Sequence, residues 1–317
     1  MMRYNEEKSK IIKEFIKNGL DKKQAEIIAD VMVTADAYGV TSHGTEILEA
    51  HIQRLNNGGY NLNPKFKILQ ETPAFSVIDG DNAIGFISAD YCMRYAINKA
   101  KITGIYHVFS RNNNTLGPAF YYALKAAEQG IIGIVFSNSP AQMAPFGGKE
   151  KMLGTNPFSV VIPVPRRDPI IIDMATSIVA KSKFKQYKEE GKRLPDGWAV
   201  DIEGNPTNDP DEGIQGMVLP MAGFKGYGIA MFIDILTGLL SGAATLNKVG
   251  RFYDKKNISM NVGYTCIAIN PKIILGESYD KVICEYVDLL RNSKSIVGKK
   301  IILPGDDRIT YFKDKKL

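Results

Sequence analysis

The sequence predicts an α/β fold preceded by a small helical unit, and three observations carry that prediction. Apolar residues recur at helical spacing through the N-terminal stretch, short β-rich runs begin at Ala74, and from there β and α segments alternate. The division expected is a helical unit over residues 1–72 and an α/β domain over 73–317, with a helical, loop-rich excursion around 174–250. A chain of 317 residues suits one large domain or two ordinary ones, each with a real core.

The elements follow in order. Between Glu6 and Asn18, Ile11, Ile12, Phe15 and Ile16 share one helical face, and Gly19 stops it. Asp21 caps a second helix, with Gln24 three positions on in the manner of a capping box, and the helix stops at Gly39. A third helix is expected from Thr45 to Asn56, after the corner Thr41-Ser42-His43-Gly44. A strand at Ala74–Ile78, a helix over Ser88–Thr103 and a strand at Ile105–Phe109 come next. The loop Ser110–Gly117, a helix from Pro118 to Gly130 and a strand at Ile131–Ser137 complete the spacing of a βαβ crossover. Its two strands are therefore expected to be parallel neighbours whose loops open on one edge of the sheet. Strands follow at Phe158–Val164 and Pro169–Ile172, then a lysine-rich helix to Glu190 and an exposed connection from Gly191 to Gly216. An apolar helix, a strand near Tyr264–Ile269 and a helix over Glu277–Arg291 close the chain.

Composition bounds the function. Hydrophobic content of 44% and charged content of 23% are those of a soluble globular protein. The net charge of +6 comes from scattered lysines with no basic stripe, so small anions suit it better than nucleic acid. Cys92, Cys266 and Cys284 have no paired spacing, which excludes a disulfide framework or CxxC site and predicts a reduced, cytoplasmic setting. The charged N-terminus has no apolar core of a signal peptide, so no export is expected. The most apolar stretch, Tyr227–Leu246, carries Asp234 at its centre and reads as a buried core helix rather than a membrane span.

Chemistry concentrates around the loop Ala144–Val164, APFGGKEKMLGTNPFSVVIPV, which lies between two β-rich runs. It is either a turn closed by Pro157 or a ligand loop in which glycines let the main chain approach a phosphate or ribose while Thr155 and Asn156 supply donors and acceptors. GxGxxG after a strand, GxxxxGK[ST], HExxH and GxSxG are all missing, so any nucleotide site is not of the Rossmann fingerprint type. Of the three histidines, His107 lies in a strand and His51 on an apolar helical face, where packing is the plainer role. His43 stands at a helix start between Ser42 and a glycine, where it is either a capping corner or an acid/base offered to a pocket. Lys225 is a surface charge or an anion contact, and Asp173 an N-cap or an acceptor for a ribose hydroxyl. Asn112, Asn113 and Asn114 are turn residues or substrate contacts.

Taken together, these motifs resemble the malate/L-lactate dehydrogenase family, which lies outside the Rossmann group and includes ureidoglycolate dehydrogenase, sulfolactate dehydrogenase and diketogulonate reductase. The resemblance runs in order through Ala35-Asp36, Ser42-His43-Gly44, Gly58-Gly59, Pro145 to Pro157, Asp173 to Ser177, Gly223 to Gly228 and Pro304-Gly305-Asp306, with spacing nearest that of ureidoglycolate dehydrogenase. It implies a homodimer with a mixed-sheet nicotinamide-binding domain. It further implies hydride transfer between NAD or NADP and C2 of a small anionic 2-hydroxy, 2-oxo or 2-imino acid. Carried across by position, Ser139, Thr155, Asn156, Asp173, Met174, Ala175, Lys225, Gly305, Asp306 and Asp307 would contact the cofactor, and Ser42 and His43 would line the reacting centre; Asn114, from its place at the strand edge, and Arg111, as a cation able to hold the anion, are separate candidates for the substrate. No metal is implied.

Two positions depart from the family pattern. Ile47 replaces the usual carboxylate-clamping arginine, and Thr115 replaces the usual proton-accepting histidine. A threonine hydroxyl does not titrate near neutrality, and losing a general base typically costs about 10²- to 10⁴-fold in rate. The chain also ends soon after Arg308, short of the C-terminal segment usual in the family. The first reading is therefore a dehydrogenase in which His43 is the acid/base and Arg111, Lys225 or a group of a partner subunit holds the anion. The second is a dinucleotide-binding relative whose catalysis is lost or altered.

Overall fold

The computed structural model describes residues 2–253 and 257–316. Helices α1 (Met2–Lys17) and α2 (Lys22–Ala37) pack together, and Asp21 accepts the backbone N–H of Gln24 at 2.9 Å to cap the second. Two 3-10 turns, Thr41–His43 and Thr45–Ile47, precede α3 (Leu48–Asn56), so the third helix starts later than its periodicity suggests. Strands β1 (Lys67–Glu71) and β2 (Phe75–Asp79), helix α4 (Gly85–Thr103), β3 (Ile105–Asn113), α5 (Ala119–Ala127), β4 (Ile132–Ser137), β5 (Phe158–Ile162) and β6 (Ile170–Met174) come next.

The excursion then contributes α6 (Ser182–Glu189), β7 (Ala199–Val200), β8 (Pro206–Thr207), α7 (Pro210–Gln215), β9 (Met217–Val218) and α8 (Phe224–Asp234). The chain returns through β10 (Val262–Ile269) and ends in α9 (Pro271–Leu275), α10 (Ser278–Arg291) and α11 (Asp306–Lys316).

The seven-stranded sheet runs β1-β2-β3-β10-β4-β5-β6. Strands β3 and β4 are parallel in direction, as the crossover spacing requires, but they are not neighbours, because β10 lies antiparallel between them. The sequence of β10, VGYTCIAI, is a continuous apolar run, which suits a strand buried in mid-sheet. β1, although it precedes residue 73, is the edge strand of this sheet. One core joins Phe15 of α1 and Met32 of α2 to Phe86 of α4, Phe120 of α5 and Tyr264 of β10, so the N-terminal helices share the sheet's interior.

Two expectations about the excursion need correction. The stretch Gly191–Gly216 is more than a connection, since β7, β8 and β9 form a small sheet over Phe184, Leu194 and Val218. The apolar segment from Tyr227 is not a buried core helix. Gly226, Ala230, Ile233 and Asp234 are its buried residues, whereas Phe232, Leu239 and Leu240 are more than half exposed. Small residues let one side press against the body, and the bulky side faces out. Among the described residues no helix is long and apolar enough to cross a membrane.

Candidate active site

Strand register gathers the expected loops. Val262 pairs with Asn113, Tyr264 with Ser137, Phe136 with Phe158, and Phe158 with Met174. The ends of β3, β4 and β6 therefore share one edge with the starts of β5 and β10. That edge carries Asn114, Ser139, Thr155, Asn156 and Asp173 to Ala175 together, and open α/β sheets bind ligands at strand carboxyl ends.

Ser139, Gly154 and Asn156 form a close-fitted seam. The Ser139 N–H donates to Asn156 Oδ1 at 3.0 Å, and Asn156 Nδ2 donates to the Ala230 carbonyl at 2.9 Å, tying the loop to α8. A Cβ on Gly154 would overlap Ser139, so only glycine admits this approach. Ser139 Oγ is buried without a hydrogen-bond partner among the described residues. A buried hydroxyl in that state is ready for an external donor or acceptor. The Thr155 carbonyl accepts both the N–H and the hydroxyl of Thr176 at 2.9 Å, which fixes the chain just beyond β6.

Asp173 ends β6 with its side chain largely buried and paired with Arg308 Nη2 at 2.9 Å. The same nitrogen reaches the Asp173 carbonyl at 3.2 Å, and the Phe120 N–H, at the start of α5, also donates to the carboxylate. Burial raises the Asp173 pKa, and Arg308 and the Phe120 N–H oppose it. Met174 is exposed and Ala175 half-buried.

The Ser42-His43 corner is built from α2. Asp36, near the end of that helix, accepts the N–H of Thr45 at 3.0 Å and its hydroxyl at 2.7 Å. Gly44 lies against the Asp36 carboxylate so closely that any Cβ would overlap it. Ser42 and His43 remain exposed. The pKa of His43 nevertheless lies below the usual imidazole value, first because protein atoms crowd it and then because Arg308 places positive charge nearby.

Other expected site residues have different surroundings. Asn114 is fully buried: Nδ2 donates to the Ala83 carbonyl and to Asn82 Oδ1 at 2.9 Å, and Oδ1 accepts from Arg54 Nη2 at 3.2 Å. Its amide is engaged within the protein by these partners. Thr115 is half-buried. Arg111 lies 3.6 Å from Asp79 and against Gly242. Lys225, one residue into α8, is exposed and makes no ion pair among the described residues.

Gly305 brings Pro304 onto β6, where the Ile171 N–H donates to the Pro304 carbonyl at 3.0 Å. The Asp306 carboxylate is gripped by both arms of Arg291 at 2.7 and 2.9 Å and accepts the Leu303 N–H. These bonds hold the α10–α11 corner, while Asp307 is exposed. His107 and His51 are packing residues as expected. His107 stacks on Phe109 at 3.8 Å, and His51 Nδ1 meets the Tyr60 hydroxyl at 2.8 Å. Arg308 is the member that sequence reading missed. Nothing marks it among the charges of DDRITYFKDKK.

Among the described residues no three metal-ligating side chains cluster. The shared edge carries the Ser139–Asn156 seam and the Asp173–Arg308 pair, and comparison with known proteins gives that arrangement its lineage. A sequence profile of the malate/L-lactate dehydrogenase family matches residues 2–316. Malate dehydrogenase of Pyrococcus horikoshii is 40% identical over 90% of this chain and 80% of its own length. L-Sulfolactate dehydrogenase of Methanocaldococcus jannaschii is 39% identical over 95% and 87%. The solved structure of sulfolactate dehydrogenase from that organism superposes with a TM-score of 0.93 at 38% identity, covering 99% of this chain and 90% of that one. Ureidoglycolate dehydrogenase of Escherichia coli K12, which motif spacing had put nearest, is 36% identical over 80% and 72%. With a profile match over nearly the whole chain, and with relatives and a solved fold this similar, the chain belongs to the malate/L-lactate dehydrogenase family.

Proposed function

We propose that this chain is an NAD- or NADP-dependent oxidoreductase that moves a hydride between the nicotinamide and C2 of a small anionic 2-hydroxy or 2-oxo (or 2-imino) acid. The observation that carries the reading is the convergence on one sheet edge of the Ser139–Asn156 seam and of Asp173, which Arg308 pairs. Family membership supplies the reaction class. Relatives named as malate and sulfolactate dehydrogenases support hydroxy-acid substrates, and ones named for NAD(+) or NADP(+) support either cofactor.

The residues present fit such a cofactor, because Ser139 Oγ is buried at the strand ends with no hydrogen-bond partner among the described residues. Ser139, Thr155, Asn156, Asp173, Met174, Ala175 and Lys225 would hold it, with Gly305 and Asp307 at the margin. When bound, the nicotinamide supplies or accepts the hydride. The proton belongs to His43: its neutral imidazole takes it from the 2-hydroxyl in oxidation, and its protonated form returns it to the carbonyl oxygen in reduction. Ser42 orients that oxygen. Thr115 can hydrogen-bond to substrate but cannot share the titration.

A homodimer completes the proposal. The outward face of α8 with Phe232, the π-helical turn Ile235–Leu239 and Leu240 that follow it, and the half-buried Phe136 against Phe232 offer a second copy an apolar surface. The unpaired thiols of Cys92 and Cys266 suit a cytoplasmic setting.

A second reading, dinucleotide binding without turnover, rests on Ile47 and Thr115. NADH and NADPH titrations, followed by a screen of 2-oxo and 2-imino acids on wild type and His43→Ala, separate the two. Turnover reduced about 10²-fold or more by His43→Ala is the expected result. Full turnover in that variant removes His43 as the acid/base, and no turnover of any acid by a nucleotide-binding wild type leaves the second reading.

A further inference from the structure

The loop Ala144–Val164 and the segment after β6 bring two lysines to one place in the excursion. Lys151 Nζ donates to the Gln215 carbonyl at 2.5 Å, and Lys181 Nζ donates to the Gly216 carbonyl at 3.1 Å. Those carbonyls belong to adjacent residues at the C-terminal end of α7, so the two ammonium groups stand no more than about 12 Å apart. Both residues are half-buried. Arg251 adds its positive field to each.

A helix C-terminus attracts a cation, but it carries only about half an elementary negative charge, and here it meets two full ammonium charges. The acids of this region are engaged with other groups. Asp211 pairs with Lys188, Glu212 accepts the Thr207 hydroxyl, and Asp201 accepts the N–H groups of Glu203 and Asn205 in its own turn. Neither Lys151 nor Lys181 makes an ion pair among the described residues; their polar contacts are the two carbonyls. By contrast Arg167 and Arg291, which border cavities beside α10, are matched by Asp288 and Asp306. Burial, then Lys151, then Arg251 lower the Lys181 pKa to about 8, and burial followed by Arg251 lowers that of Lys151. Each ammonium has three donors and gives one to a carbonyl, so two remain on each for an oxyanion.

We propose that Lys151 and Lys181 form a binding site for a phosphate group, which takes an N–H from each while each keeps its carbonyl. The flexible lysine stems close on the anion, and its charge offsets their mutual repulsion. Lys151 lies four residues before Thr155 and Lys181 five after Thr176, and the Thr155 carbonyl holds Thr176. A phosphate here therefore clamps the two arms that leave that contact to the end of α7. Its source is either free phosphate or the extra phosphate that distinguishes NADP from NAD. The site does not depend on the function proposed above; only the nucleotide titrations below do.

The test is titration of the full chain with inorganic phosphate, against sodium chloride of equal ionic strength, by calorimetry in wild type, Lys151→Gln, Lys181→Gln and Lys181→Arg. Glutamine keeps a donor for the carbonyl and removes the charge. Saturable uptake by wild type should weaken about tenfold or more in each glutamine variant and stay within about threefold in Lys181→Arg. Without phosphate, the glutamine variants should melt no lower than wild type, because a repulsion has been relieved. NADH and NADPH are then titrated against the same proteins. Affinity lost for NADPH alone identifies the nucleotide as the source of the phosphate, unchanged affinity for both identifies a free anion, and either result supports the site. No saturable uptake by wild type overturns the proposal, and so does uptake that both glutamine variants keep. A clear fall in melting temperature in both glutamine variants also overturns it, since the lysines would then be caps for α7 and nothing more. A wild type that takes up phosphate but neither nucleotide removes the functional reading and leaves the site standing.

Discussion

Gly44 ties two motifs that the sequence could only record as neighbours. Its missing Cβ leaves room for the Asp36 carboxylate, which holds Thr45 and so sets the corner that presents His43. Gly44→Ala should therefore cost about 1–3 kcal/mol of stability and lower turnover as well; an unchanged melting curve and rate would show that the corner yields freely. The titration of His43 has a definite sign. Crowding and Arg308 both favour the neutral ring, so its pKa lies below the ordinary value of about 6.5. Oxidation, which uses the neutral base, should hold its rate as pH falls past that value and decline only at lower pH. Reduction, which uses the protonated ring, should lose rate as pH rises from the acid side. Arg308→Gln should move both limbs upward in pH–rate profiles, and limbs that do not move would show that Arg308 has no field at the ring. Sequence reading could single out His43 because so few histidines compete with it. Arg308 was illegible because its meaning lies in Asp173, 135 residues away. The surroundings of Asn114 were illegible for a related reason: an asparagine in a turn looks free until the chain folds Asn82 and Arg54 around it.

At the scale of elements, the βαβ spacing correctly gave two strands of one direction with loops on a shared edge. It could not reveal that β10, contributed from far along the chain, would separate them, since local periodicity records direction and length but not what is inserted later. α8 failed in the opposite sense. Its composition is apolar all round, so hydropathy alone called for burial, whereas the pattern of Gly226 and Ala230 on one side and Phe232 on the other fits a helix covered on one face by its own chain. If a second copy covers the remaining face, Phe232→Asp together with Leu239→Glu should convert a dimer into a monomer. Light scattering would register it, with the far-UV spectrum kept. A double variant that stays dimeric would place the subunit contact elsewhere, and a monomeric wild type would remove the homodimer.

Across the whole molecule, the two packing histidines make folding sensitive to acid. Burial lowers the pKa of His51 to about 3 and of His107 to about 4, while an unfolded chain protonates both near the ordinary value of about 6.5. Above that value neither state binds the proton and the folded chain keeps its full stability. Below it the unfolded chain gains protons that the folded chain refuses, and each such histidine then removes about 1.4 kcal/mol per pH unit until its folded pKa is reached. Asp36, Asp90 and Asp173, raised by burial, act with opposite sign because they protonate in the folded chain first. His107 is the cleaner position for a test. His51 holds the Tyr60 hydroxyl, which a substitution would strand, whereas His107 Nε2 is buried without a partner among the described residues and its ring already stacks on Phe109. His107→Phe keeps the stack and removes both the orphaned nitrogen and one proton site. Urea midpoints at pH 7 and pH 5 should drop less in the variant than in wild type, by the share that His107 contributes. Equal drops would mean that His107 takes up its proton without unfolding, and that the sheet face around it opens to water well before the core does.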